Sequence, residues 1–235
     1  MRFPTPLVPA RLIRRYKRFL ADVELEATGE VVVAHCPNPG AMLGLQEPGM
    51  RIWVEPNNDP RKKLKFGWRL AELPDGHLAG IDTSVPNRVV AEALAAGKIT
   101  EAAEWETVRP EVPYAEKSRV DFLLSGNNKP DVYLEVKNVH LRRDGNLAEF
   151  PDCVTARGAR HLDDLAAMVG EGHRALMLYL VQRTDCGRFD LARDLDPNYA
   201  EAFVRASRAG VEAICYGTSI STEGVTLGAS IPVIA

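Results

Sequence analysis

The segments Ser118-Arg119-Val120-Asp121-Phe122-Leu123-Leu124 and Val132-Tyr133-Leu134-Glu135-Val136-Lys137 alternate apolar and polar residues, the period of strands with one buried face. In the second segment this period sends Val132, Leu134 and Val136 to one side and Tyr133, Glu135 and Lys137 to the other. Asn127-Asn128-Lys129-Pro130 has turn chemistry, so an antiparallel hairpin sets Asp121 beside Glu135 on one polar face. Asp131 does not fit as a partner, because it lies on the order of 13 Å along the strand from Glu135.

Two carboxylates and an amine in this order suit phosphodiester hydrolysis. A carboxylate-held divalent ion supplies a nucleophilic water and neutralises developing charge. Asp121 and Glu135 are the expected metal ligands. Mg²⁺ is the expected ion, since it prefers hard oxygen donors, keeps several waters and needs only one or two carboxylates. Lys137 either orients the attacking water and stabilises charge on the phosphorane or forms a simple salt bridge to Glu135. Glu92, on the helix that opens the second half, extends the site if that helix packs near the two strands, and Glu116 competes for the same role. Arg157 and His161 stand one helical turn apart, placed to hold a phosphate or to form the ordinary polar face of an amphipathic helix.

Around the hairpin, Val89, Val90, Ala93 and Leu94 have helical spacing with Gly97 as a stop, and strands are expected at about 108–114, 118–125 and 131–139. A helix carries the stripe Leu162, Leu165, Ala166 and Val169. Ala175 to Val181 reads as a strand covered on both faces. Asp196-Pro197 opens another helix, Gly210 closes it, and Val211 to Tyr216 is a strand. The order αβββαβαβ implies a mixed sheet with helices on both sides. Val225 to Ile234 either completes that sheet or makes a subunit contact, so a homodimer stays open.

Upstream, short apolar runs at 20–25, 30–35, 51–54 and 68–73 are separated by Gly and Pro, which suggests a small barrel. An OB-like form fits, as do other small all-β forms. The expected division is 1–83 and 84–235. Arg15, Lys17 and Arg18 crowd one segment, and Arg61, Lys62 and Lys63 precede Phe66 and Trp68. Cations beside aromatics suit a surface that neutralises phosphates and stacks bases, although a basic run also serves as a solvated loop.

With 46% hydrophobic residues in 235, the chain can bury a proper core, which excludes intrinsic disorder, and a net charge of −3 leaves room for local basic patches. The four cysteines lack C-x-x-C spacing and the five histidines lack H-x-x-x-H pairing, against a structural zinc site. No continuous secretory apolar region follows Met1, so reduced thiols, a cytoplasmic location and no membrane partner are expected.

The chain resembles the sugar fermentation stimulation protein (SfsA) family. The segments that carry the likeness are Arg15 to Val23, His35-Cys36-Pro37-Asn38-Pro39-Gly40-Ala41-Met42, Ser118 to Phe122, Leu134 to Lys137 and Phe150-Pro151-Asp152. The resemblance implies a mixed α+β chain: an N-terminal OB-like barrel, then a domain similar to the restriction-endonuclease fold, with DNA as the partner. Asp121, Glu135 and Lys137 match the nuclease-like PD-(D/E)xK signature, with Val120 where Pro often precedes its Asp. Pro39 and Asn138 stand where familiar forms have Thr and Ser. The expected function is DNA binding with a Mg²⁺-dependent phosphodiester-hydrolysing centre. The alternatives are a non-catalytic DNA-binding regulator with a degenerate nuclease site and a binder of small phosphorylated ligands.

Overall fold

The computed structural model describes residues 1–115, 118–126 and 128–235. In its N-terminal part the strands are β1 (Val8–Tyr16), β2 (Leu20–Leu25), β3 (Val31–His35), β4 (Arg51–Pro56), β5 (Phe66–Glu72) and β6 (Leu78–Gly80). They run in the order β3-β2-β1-β4-β5-β6, and β3 also pairs parallel with β5 through Ala34↔Phe66 and His35↔Gly67. That pairing closes five strands into an OB-type barrel. Ala10, Leu12, Ala21, Val23, Ala34, Ile52, Val54 and Trp68 fill it.

Strand β1 was not expected, because its arginines dominate the sequence there. Period two explains its first half, where Ala10 and Leu12 point inward and Arg11 stays exposed, pairing with Glu26 at 2.9 Å; a register shift between Leu12 and Arg14 then turns Arg14 outward to pair with Asp22 at 2.7 Å.

Trp68 is a correction to the sequence reading. It is 0% exposed and its Nε1–H donates to the Leu70 carbonyl at 3.0 Å, so it belongs to the barrel core and offers no ring for stacking on a base. Trp68→Phe is expected to lower stability by about 1–2 kcal/mol through reduced volume and an orphaned carbonyl. Urea denaturation would show this as a lower midpoint, and an unchanged midpoint would contradict the buried placement.

The larger part contains α1 (Val85–Ala95), β7 (Thr107–Pro113), β8 (Arg119–Ser125), β9 (Val132–Val139), β10 (Leu141–Arg142) and β11 (Leu147–Phe150). After them come α2 (Ala156–Gly170), β12 (Arg174–Val181), β13 (Arg188–Leu191), α3 (Pro197–Arg208), β14 (Glu212–Ser221) and β15 (Gly224–Ser230). The main sheet runs β15-β14-β12-β9-β8-β7, with β9, β12 and β14 parallel and the outer strands antiparallel. Helix α1 covers one face through Val89 and Val90 against Phe122, Leu134 and Leu178. Helices α2 and α3 cover the other through Leu162, Leu165, Tyr199 and Phe203 against Met177 and Tyr179.

The expected mixed sheet with helices on both sides is present, and β15 completes it. Strands β10, β11 and β13, of two to four residues, form a separate small sheet and are too short to carry a readable period. Residues 1–3 lie on the larger part: Val225 N–H donates to the Met1 carbonyl at 2.9 Å and Phe3 N–H to Glu223 at 3.0 Å. Gly224 permits this approach, since a Cβ there would stand 2.4 Å from the Met1 oxygen. Among the described residues no helix is long and apolar enough to cross a membrane.

The loop after β3 joins the two parts. Arg15 donates to the carbonyls of Asn38 at 2.8 Å and Gly40 at 3.0 Å, Asn38 donates to Ile81 at 2.8 Å, and Met42 N–H donates to Asp152 at 3.0 Å. The His35–Met42 and Phe150–Asp152 segments therefore serve as a joint. Arg15 is a framework residue there, and its guanidinium is committed to backbone carbonyls before any phosphate arrives.

Candidate active site

The pairing Phe122↔Leu134, Leu123↔Tyr133 and Leu124↔Val132 carries the register of β8 and β9 toward Asp121 and Glu135, as the alternation predicts. Beyond Phe122 the ladder gives way to a side chain: Val136 N–H donates to Asp121 Oδ2 at 2.7 Å. The other oxygen, Oδ1, accepts from Asn87 Nδ2 at 2.7 Å. Asn87 arrives because α1 begins immediately before it. Asp82 Oδ1 accepts from Ser84 N–H at 2.9 Å, and Pro86 occupies the first turn, where a missing N–H costs nothing.

Glu135 is 3% exposed. Its Oε1 accepts from Lys137 Nζ at 2.6 Å and from His161 Nδ1 on α2. The second oxygen, Oε2, is buried and has no hydrogen-bond partner among the described residues. Helix α2 is held in register by its N-cap, where Thr155 Oγ1 accepts from Gly158 N–H at 3.1 Å, and by Leu162 and Leu165 in the core. His161 next to Leu162 thus faces the sheet. Arg157 Nε donates to His161 Nε2 at 3.1 Å, which leaves Nδ1–H to donate to Glu135.

The two carboxylates are pushed in opposite directions. Burial first, and then the negative charge of Glu135, raises Asp121 to about 6 against the hydrogen bonds from Val136 and Asn87. Burial also acts to raise Glu135, but the His161 hydrogen bond and the Lys137 charge outweigh it and hold Glu135 below its ordinary value. The pocket sets two carboxylates against the Lys137 amine, with the Arg157 guanidinium farther out behind His161, and Glu135 Oε2 lacks a donor among the described residues. A hard cation fits that imbalance. Among the described residues no group of three or more His, Cys, Asp or Glu is arranged to hold a metal ion. With His161 committed to Glu135, the side chains free to face an ion here are the two carboxylates, a set that would suit only an ion that keeps most of its waters.

The structure therefore brings Asp121, Glu135 and Lys137 together with His161, and sets Arg157 behind His161. Glu92 is elsewhere, and its expected role is corrected. Its side chain is 62% exposed and pairs with the Met1 amine at 2.6 Å, because the buried stripe of α1 turns position 92 toward the end of the sheet occupied by β15. Asn87, one turn into the helix, occupies the place the sequence reading gave to an acid. Glu116 and the turn residue Asn127 lie outside the described residues.

On the barrel, Lys17, Arg18, Arg61, Lys62 and Lys63 are exposed, and Arg61 pairs with Asp59 at 2.9 Å. Lys62 and Lys63 line a groove of about 630 Å³ with His35 and Phe66, separate from the carboxylates. Asn87, Tyr114 and Asp164 also border the carboxylate region, and the alternation of the strands does not point to them. Asp164 alone carried a signal, three residues beyond His161 on the same helix face, where it accepts from Ser118 Oγ.

Family models match both parts of the chain: the SfsA N-terminal OB domain over residues 13–81 and the sugar fermentation stimulation protein RE domain over 84–224. The chain belongs to the sugar fermentation stimulation protein family. The sugar fermentation stimulation protein homolog of Dinoroseobacter shibae is 68% identical over 99% of this chain and 96% of that protein. The homolog of a Jannaschia species is 62% identical over 99% and 97%. The solved structure of Pyrococcus furiosus SfsA in complex with Ca²⁺ matches with a TM-score of 0.88 at 25% identity, covering 100% of this chain and 98% of that one. As an SfsA family member the chain shares the OB barrel and mixed-sheet architecture of that structure.

Proposed function

We propose that this SfsA family member binds DNA and hydrolyses its phosphodiester bonds at a divalent-cation centre, with Asp121 and Glu135 as ligands and Mg²⁺ as the working ion. The observation that carries the reading is the buried Glu135 Oε2, which has no hydrogen-bond partner among the described residues, since a buried carboxylate oxygen without a donor is costly unless something compensates it. The Ca²⁺ of the Pyrococcus furiosus relative supports a hard divalent ion in this architecture. When bound, such an ion activates water and neutralises phosphate charge.

The chain's own groups supply the rest. His161 and Arg157 lock Glu135 Oε1 in place, Asn87 and the Val136 N–H fix the orientation of Asp121, and Lys137 offers its remaining donors to a water or phosphate oxygen. The exposed barrel cations Lys17, Arg18, Lys62 and Lys63 grip the backbone. Incubating the protein with single-stranded, duplex and branched DNA in Mg²⁺ or Mn²⁺ tests the reading. Cutting that requires the ion supports it, and salt-sensitive binding without cutting on any substrate overturns its catalytic half.

The barrel makes a separate prediction. Replacing both Lys62 and Lys63 by alanine should flatten the slope of log affinity against log salt by about two, roughly 0.9 for each phosphate no longer neutralised. Anisotropy titrations at several salt concentrations would check it, and an unchanged slope would remove the loop between β4 and β5 from the interface.

A further inference from the structure

We infer that the Tyr114 hydroxyl is a further donor of this centre, placed to hydrogen-bond a water or phosphate oxygen bound against Glu135. The inference rests on the divalent-centre reading above. Tyr114 directly follows β7, and its N–H donates to the Ser118 carbonyl at 3.3 Å. Ser118 Oγ in turn donates to Asp164 on α2, which ties this corner to the helix that carries His161. The Tyr114 ring lies 5.4 Å from the Tyr133 ring, centroid to centroid, and Tyr133 precedes Glu135 by two residues on the same face of β9.

The hydroxyl oxygen is buried, and among the described residues it has no hydrogen-bond partner. Buried tyrosine hydroxyls ordinarily find one. Others in this protein do: Tyr179 and Tyr199 bond each other at 2.6 Å, and Tyr216 donates to Glu101 at 2.8 Å. Burial first, and then the charges of Glu135, Asp164 and Asp121, push the Tyr114 phenol well above its ordinary value, so it remains a protonated donor within the field of those carboxylates. Among the described residues, the corner thus holds a donor on Tyr114 and an acceptor on Glu135 that both lack partners. A hydrated ion held at Glu135 would give both a partner, with Tyr114 offering its hydroxyl to a water or phosphate oxygen there.

Tyr114→Phe keeps the ring and removes only the hydroxyl, so it separates this role from a structural one. In metal-free protein the variant should have a urea midpoint equal to or above wild type, because the deleted group satisfies nothing there. Its Mn²⁺ affinity, measured by calorimetry, should fall about tenfold or more, as for other groups that hold a bound water in place. A lowered midpoint would mean that the hydroxyl has a structural partner, and would overturn the inference. So would wild-type Mn²⁺ affinity in the variant while the wild-type protein binds the ion. If wild type takes up no Mn²⁺, the divalent reading itself falls, and this inference with it.

Discussion

Lys137→Met will lower ion-dependent DNA cleavage by about 10²–10³-fold, and Asp121→Ala by at least as much, while both proteins keep DNA affinity within about twofold of wild type. Lys137 is 12% exposed at its side chain and reaches Glu135 Oε1 at 2.6 Å, so its charge is delivered at the carboxylate pair. Methionine preserves the aliphatic stem and removes the donors that would meet a reacting oxygen. His161 still donates to Glu135 in that variant, which keeps the buried carboxylate partnered. The barrel cations are untouched, so binding is retained. Single-turnover cleavage measured beside anisotropy separates the two effects. Equal loss of binding and cleavage would mean that the substitutions damage the fold, and unchanged cleavage would mean that the chemistry lies elsewhere.

The second large effect concerns stability. Asp121 is raised from 3.8 to about 6, so between those values the folded protein holds a proton that the unfolded chain has released. The contribution of Asp121 to stability therefore falls as pH rises through this window and is flat above it, where ionised Asp121 sits beside ionised Glu135 at full cost. At about 1.4 kcal/mol per unit, that cost is on the order of 3 kcal/mol. Asp121→Asn removes the charge, and the Asn87 amide can turn to accept from the new NH₂ group. In the absence of divalent ions the variant should be more stable than wild type at pH 7.5 by roughly 1–3 kcal/mol, and that advantage should grow as pH rises from 4 to 6. Urea denaturation across that range checks the sign. A variant less stable than wild type at pH 7.5 would show that the carboxylate is not strained by its surroundings. A cost of this kind marks a group kept for function against stability.

Much of this arrangement is legible in the residues because the strands that carry Asp121 and Glu135 both have neighbours on each side in the sheet, where alternation is strict. Phe122 and Leu134 face the core under α1, which forces Glu135 and Lys137 to the opposite face and leaves little freedom of register. The same rule, applied to Phe66-Gly67-Trp68-Arg69-Leu70, sends Trp68 inward with Leu70. Reading that indole from its basic neighbours instead of its phase led to the wrong surface. Strand β1 was hidden by arginines that serve its outer face, and β10, β11 and β13 by their brevity.

The contacts between elements were beyond reach. Whether Asn87 or Glu92 of α1 meets Asp121 depends on where the helix starts relative to the sheet, and that is decided by the Asp82–Ser84 turn and the joint between the two parts. The spacing of His161 to Arg157 leaves two readings, a phosphate holder or the ordinary polar face of an amphipathic helix. The place of His161 against Glu135 depends on how α2 packs, which local periodicity does not specify.

The most direct test is anomalous diffraction from crystals soaked in Mn²⁺. A peak about 2.0–2.3 Å from an oxygen of both Asp121 and Glu135, with Glu135 contributing Oε2, is the predicted result. Absence of a peak at saturating Mn²⁺, or a peak bound to other side chains with Glu135 Oε2 still unpartnered, would contradict the account.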